Sequence, residues 1–151
     1  MTESPDYQQL LVHAYNLQMQ LQASMNELSQ VENMLEGLSL TNEVIDGLNE
    51  APPNQEIILP IGSYAYIKAK IPNPDNFLIH IGRKTVVERD SKQSLDLIRK
   101  KRDQFQKQKD TLKKIVDELT QKLKEIEPYV TQFQQQYQQQ QLNLSSKDLN
   151  V

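Results

Sequence analysis

Tyr64-Ala65-Tyr66-Ile67-Lys68-Ala69-Lys70-Ile71 alternates with a period of two. Ala65, Ile67, Ala69 and Ile71 fall on one face and Tyr64, Tyr66, Lys68 and Lys70 on the other, the pattern of a half-buried strand. Just upstream, Glu56 to Ile61 reads as its partner and contributes Ile58 and Ile61, with the break at Gly62-Ser63. Downstream, Pro72-Asn73-Pro74-Asp75-Asn76 is a turn cluster. Phe77 to Ile81, carrying Phe77, Ile79 and Ile81, and Thr85 to Arg89, carrying Val86, form a second candidate hairpin through Gly82-Arg83-Lys84. Four short strands within about 34 residues can neither bury both faces nor cover their own edges. These strands are therefore expected to assemble with strands of other chains.

On either side the period changes from two to the alternating 3 and 4 of a coiled-coil seam. Upstream, Leu10, Ala14, Leu17, Leu21, Ser24, Leu28, Val31, Leu35 and Leu38 keep that spacing, and eight of the nine are apolar. Ser4-Pro5-Asp6 marks the start of this helix through a cap, a first-turn proline and an acid at the positive end. Gly37 and Gly47 weaken its last turns, and Pro52-Pro53 ends it. Downstream, Asp90 with Gln93 reads as a capping box. The second seam runs Leu95, Ile98, Arg102, Phe105, Lys109, Leu112, Val116, Leu119, Leu123, Ile126, Val130, Phe133 and Tyr137. Arg102 and Lys109 are its polar intrusions and should snorkel. Pro128 should kink or loosen the end of this helix.

Helix 1 over about 5–48 and helix 2 over about 91–137 match in length, and a polar tail follows over 138–151. Folding back antiparallel places Leu10 near Val130 and Ile45 near Leu95, in a rod on the order of 65 Å long. The fold class is mainly α with a small β part. It is a single domain, residues 1–151, in which a long antiparallel two-helix coiled coil is joined by two β-hairpins over about 56–89.

Charge supports the pairing. Residues 1–50 hold eight acids and no Lys or Arg, whereas residues 91–127 hold eleven bases and seven acids. The halves should attract. No apolar run approaches the ~20 residues of a membrane span, and Met1 to Gln9 has neither the basic nor the apolar region of a secretory signal. A cytoplasmic location without membrane contact is expected.

Enzymatic chemistry finds little footing. Cysteine is absent, which excludes thiolate catalysis and Cys-based metal sites. Gly37, Gly47, Gly62 and Gly82 lie too far apart for a phosphate-cradling loop. His13 and His80 sit on different elements, with no triad or metal set around them. No catalytic residue, cofactor or metal is expected. Arg99-Lys100-Lys101-Arg102 invites a nucleic-acid reading, but no stacking aromatics are interleaved and the partner helix is acidic. A solvated or helix-pairing face explains it better.

Both chain ends carry apolar side chains that seam packing does not fully use. Tyr7, Leu10, Leu11 and Tyr15 begin helix 1, while Tyr129, Val130, Phe133 and Tyr137 lie in and beside the Gln-rich stretch from Gln132 to Gln141. An antiparallel hairpin brings these eight residues to one tip. Exposed apolar groups there would make it a surface for contacting other proteins.

The middle segment resembles the prefoldin family, in particular its α-type subunits. The resemblance rests on Leu59-Pro60-Ile61-Gly62-Ser63, Tyr66-Ile67-Lys68-Ala69-Lys70-Ile71, Phe77-Leu78-Ile79-His80-Ile81-Gly82 and Val86-Val87-Glu88-Arg89. The pattern departs at Lys84, where the family usually has a second glycine, and this bears on the geometry of the second turn. The resemblance implies a hetero-hexamer of two α-type and four β-type prefoldin subunits whose strands close an inter-subunit β-barrel. It implies an ATP-independent chaperone whose tips capture unfolded client proteins and deliver them to a group II chaperonin. The alternative from another class is a structural coiled-coil scaffold or tether without clients.

Overall fold

The computed structural model describes residues 5–148, with side chains over 7–139. The element order is α1 (Pro5–Asn49), β1 (Gln55–Gly62), β2 (Ala65–Ile71), β3 (Phe77–Gly82), β4 (Thr85–Arg89) and α2 (Ser91–Asp148). The expected roles of Ser4 and of the Asp6 side chain lie outside the described residues. The chain divides into two compact units, Met1–Gln30 with Lys109–Val151, and Val31–Gln108.

The seams hold. Leu17, Val31 and Ile45 of α1 and Leu95, Ile98, Leu112 and Leu119 of α2 are buried. The other seam positions within the described side chains are half-buried, Lys109 included, and Arg102 alone is exposed. That is the snorkelled outcome for a guanidinium at a seam position. Two helices that bury only a stripe remove apolar surface at roughly 25 cal/mol per Å², so stability is spread along the seam instead of being concentrated in one core.

α1 continues through Gly37 and Gly47 to Asn49, and Ala51 N donates to Leu48 O at 3.1 Å in the turn that ends it. Asp90 caps α2 by accepting from the Gln93 amide at 2.7 Å. α2 runs past the expected end at Tyr137 to Asp148. Gln, Leu and Lys are good helix formers, and no Gly or Pro interrupts the stretch beyond Pro128. Pro128 is accommodated inside the helix, although it removes one helical donor.

In the unit Val31–Gln108 the strands form two separate two-stranded antiparallel sheets, β1-β2 and β3-β4. Both hairpins share a plan. The register shifts between Pro60 and Gly62 in the first and between His80 and Gly82 in the second. An isoleucine–glycine pair, Ile61-Gly62 or Ile81-Gly82, thus opposes a single residue across the ladder, the arrangement of a β-bulge. Gly62 and Gly82 have φ of 150° and 128°, a conformation open to glycine and strained for any L side chain.

Candidate functional site

Cross-strand partners share a face, so the ladder register sorts the strand residues. In β1-β2, Ile57 pairs with Ala69 and Leu59 with Ile67, while Ile58 pairs with Lys68 and Pro60 with Tyr66. Ile58 therefore lies on the face of Tyr66, Lys68 and Lys70, opposite to Ile67. Both faces carry large apolar groups that stay open: Ile58, Ile61, Tyr66 and Ile67 are each more than half exposed. Ala65 is exposed, and Ala69 and Ile71 are half-buried. An exposed Glu56–Lys68 ion pair at 3.3 Å crosses the sheet, and such a pair is worth under about 1 kcal/mol.

The second hairpin is used differently. Phe77 and Ile79 pack against the buried cluster of Ile45, Leu95 and Ile98, together with Leu38. They were expected among the assembly residues, but they face the chain's own core. Leu78, Ile81 and Val86 remain exposed. Leu59, Tyr66 and Leu78 belong to this open apolar surface and were not singled out from the sequence. Cross-strand pairing is the signal that finds them, and it needs a register that a bulge disturbs.

A small polar knot holds the hairpins to the helices. The Ser91 amide donates to Asp75 Oδ1 at 2.8 Å, and the Ser91 hydroxyl donates to Asn49 Oδ1 at 2.7 Å. Asp75 is positioned in turn by its amide, which donates to Asn73 Oδ1 at 3.2 Å. The end of α1, the link between hairpins and the start of α2 thus meet at one serine. Ser91, through its hydroxyl and then its amide, holds the Asp75 carboxyl below its ordinary value. One hydroxyl proton serves one acceptor at a time; turning the Asn49 amide over would free it for Asp75.

In the unit Met1–Gln30 with Lys109–Val151, part of the expected apolar group is brought together. Tyr7 is buried, stacked on Tyr137 with ring centroids 5.2 Å apart and tilted against Phe133 at 5.5 Å. Aromatic pairs at such separations gain about 0.5–1.5 kcal/mol beyond area burial, which closes the cluster despite Pro128. Leu10, Leu11, Val130, Phe133 and Tyr137 are half-buried. Leu11 and Tyr15 of α1 face Ile126 and Val130 of α2 across a shallow groove, in accord with the expected register. Tyr15 and Tyr129 are about 60 % exposed, as are Val12 and, slightly less, Met19. Val12 and Met19 join Tyr15 in a second 3-4 stripe beside the seam, and these two were not singled out from the sequence.

Among the described residues no group of His, Asp and Glu could hold a metal ion, and no helix is long and apolar enough to cross a membrane.

A two-helix coiled coil joined by two hairpins, with apolar strands left open, defines a subunit built to assemble. The chain belongs to the prefoldin family: the family model for a prefoldin subunit matches residues 7–139. It is a chaperone subunit of the α type. Relatives named prefoldin subunit alpha include one from Methanothrix thermoacetophila, 28 % identical over 66 % of this chain and 67 % of the relative. One from Methanococcus maripaludis strain C5 is 30 % identical over 60 % and 59 %. One from Thermofilum pendens is 21 % identical over 81 % and 89 %. Among solved structures, a cryo-EM structure of a filamentous prefoldin from Methanocaldococcus jannaschii superposes with a TM-score of 0.65 at 16 % identity, covering 75 % of this chain and 93 % of that one. The likeness to that structure concerns the fold.

Proposed function

We propose that this chain is an ATP-independent chaperone subunit that captures unfolded proteins and passes them to a group II chaperonin in the cytoplasm. It works in a hetero-hexamer of two α-type and four β-type subunits. The exposed strand residues Ile58, Ile61, Ala65, Ile67, Ile81 and Val86 complete an inter-subunit β-barrel, with Ala69, Ile71, Phe77 and Ile79 supporting them from the half-buried side. Tyr15 and Tyr129, with Leu10, Leu11 and Val130 behind them, contact the client. Tyr7, Phe133 and Tyr137 brace that surface.

The observation that carries the reading is apolar exposure on the helix surfaces. Tyr15, Tyr129, Val12 and Met19 stand open on helix surfaces. A monomeric soluble protein rarely leaves such groups clustered. Weak apolar contacts repeated over several subunits hold a client of no fixed sequence, because multivalency raises avidity without a specific site.

The test is a triple change, Tyr15→Ser, Tyr129→Ser and Met19→Ser, which leaves the Tyr7 cluster and the strands intact. Light scattering should report an unchanged oligomer. Suppression of aggregation of a denatured protein, measured without ATP, should fall several-fold. Undiminished suppression would remove this surface from client binding and favour a tether without clients.

A further inference from the structure

In the basic run Arg99-Lys100-Lys101-Arg102 only Arg102 holds a seam position, and it is exposed. Arg99 makes a long, exposed contact to Asp96 at 3.8 Å. Lys100 and Lys101 make no ion pair among the described residues, yet both edge an apolar groove within the unit Val31–Gln108. Met34 and Leu38 of α1, Ile79 and Ile81 of β3, and Leu97 and Phe105 of α2 wall this groove, which holds about 440 Å³. A second hollow continues it past Ile81, Leu97 and Lys100 towards Arg89 and Gln93, with the Asp96 carboxylate, which Arg99 contacts, also in its lining.

The β3-β4 turn adds a second basic element. Gly82 lines the groove, and Arg83 and Lys84 follow it at φ of 40° and 64°. Non-glycine residues in that region cost about 1–2 kcal/mol each. A two-residue turn of this kind is most cheaply made with Asn or Gly. Two long cations held there instead are an outlier of the kind that accompanies a functional surface.

We propose that this groove docks a short acidic segment of a partner protein, one that interleaves Asp or Glu with Leu, Ile or Phe. The aliphatic walls take the apolar side chains, and Lys100, Lys101 and the cations of the turn meet the carboxylates. Such a rim speeds encounter and selects by charge, while the apolar floor holds the bound segment. A nucleic-acid strand fits less well. Stacking needs exposed aromatic faces; of the two rings that line the groove, Phe105 is half-buried and only the small imidazole of His80 is exposed.

The experiment is fluorescence anisotropy with a short labelled peptide of Glu, Leu and Phe, titrated with the purified chain in the assembly it forms, sized by light scattering. Saturable binding that weakens with added salt is expected. Lys100→Glu with Lys101→Glu, both exposed and outside the seam, should weaken it by about tenfold or more without changing the assembly size. Met34→Gln, which makes one wall polar, should weaken it several-fold with the salt dependence kept. Absent binding, equal binding of a Lys, Leu and Phe peptide, an unaffected lysine double variant, or displacement by single-stranded RNA as readily as by unlabelled peptide would each overturn the proposal.

Discussion

β3-β4 places Phe77 and Ile79 in the cluster of Ile45, Leu95 and Ile98, whereas β1-β2 leaves Ile58, Ile61 and Ile67 open on its two faces. The two hairpins have the same bulge at the same isoleucine–glycine pair and turns of the same length, although the second turn holds both Arg83 and Lys84 at positive φ and the first only Tyr64. They differ further in support. An isolated two-stranded hairpin is marginal in water. The second gains stability from its own chain, and the first depends on whatever covers it. One chain thus carries a hairpin that folds with the helices and another whose order is tied to assembly.

Exchanging the same substitution between the hairpins breaks this comparison most directly. Ile79→Asp puts a carboxylate against the helix core and should cost the dissociated chain about 3 kcal/mol or more, read as a lowered melting temperature by circular dichroism. Ile67→Asp should change that melt by under about 0.5 kcal/mol but abolish the oligomer in light scattering. If Ile67→Asp melts the dissociated chain as Ile79→Asp does, the first hairpin has support of its own and the contrast fails.

The turns give a smaller and sharper version. Gly62→Ala and Gly82→Ala each force a side chain into a glycine conformation, costing about 1–3 kcal/mol. For Gly82 the loss should appear in the melt of the dissociated chain, and for Gly62 mainly as a shift of assembly to higher protein concentration. Lys84→Gly should do the reverse, stabilising the second hairpin by about 1 kcal/mol. Equal losses for the two alanine variants in the dissociated chain would show the hairpins to be equally coupled to the helices.

Acid should produce the least effect. Asp75 links the hairpins, and its folded-state carboxyl titrates below the ordinary value. Its contribution is therefore present above the unfolded carboxylate pKa and is lost as pH falls from about 4 through the lowered value. Asp75→Asn should flatten that part of the profile of melting temperature against pH. An unchanged profile would mean that the Ser91 contact adds no pH dependence.

The helices were legible because a 3-4 seam constrains each position separately. From Leu95 to Tyr137 the expected seam positions are buried or half-buried, with Arg102 the exception that its charge explains. The hairpins were legible as strands and turns, but their faces were not. Ile57-Ile58-Leu59 is apolar at three consecutive positions, which erases the period of two, and the extra residue at Ile61 and at Ile81 shifts the pairing. That is why Ile58 and Ile67 proved to face opposite ways and why Phe77 and Ile79 turned inward. Of the eight apolar residues expected at one tip, Tyr7 meets Phe133 and Tyr137, and Leu11, Tyr15 and Val130 line one groove. The ring cluster of Tyr7, Phe133 and Tyr137 and the exposure of Tyr15 and Tyr129 are a division that spacing alone does not encode.

Ser91 also bears on the order in which the chain folds. Its hydroxyl reaches a residue 42 positions earlier and its amide one 16 positions earlier. Hairpins close in about 1–10 μs and helical turns faster still, while contacts that close longer loops must first meet the entropy of closure. The knot should therefore tie last, after the helix ends and the link between hairpins are already in place. It acts as a latch on a finished structure and not as a seed for it. Ser91→Ala should then speed unfolding and leave the refolding rate nearly unchanged, and a slowed refolding limb in stopped-flow experiments would place the knot in the nucleus instead.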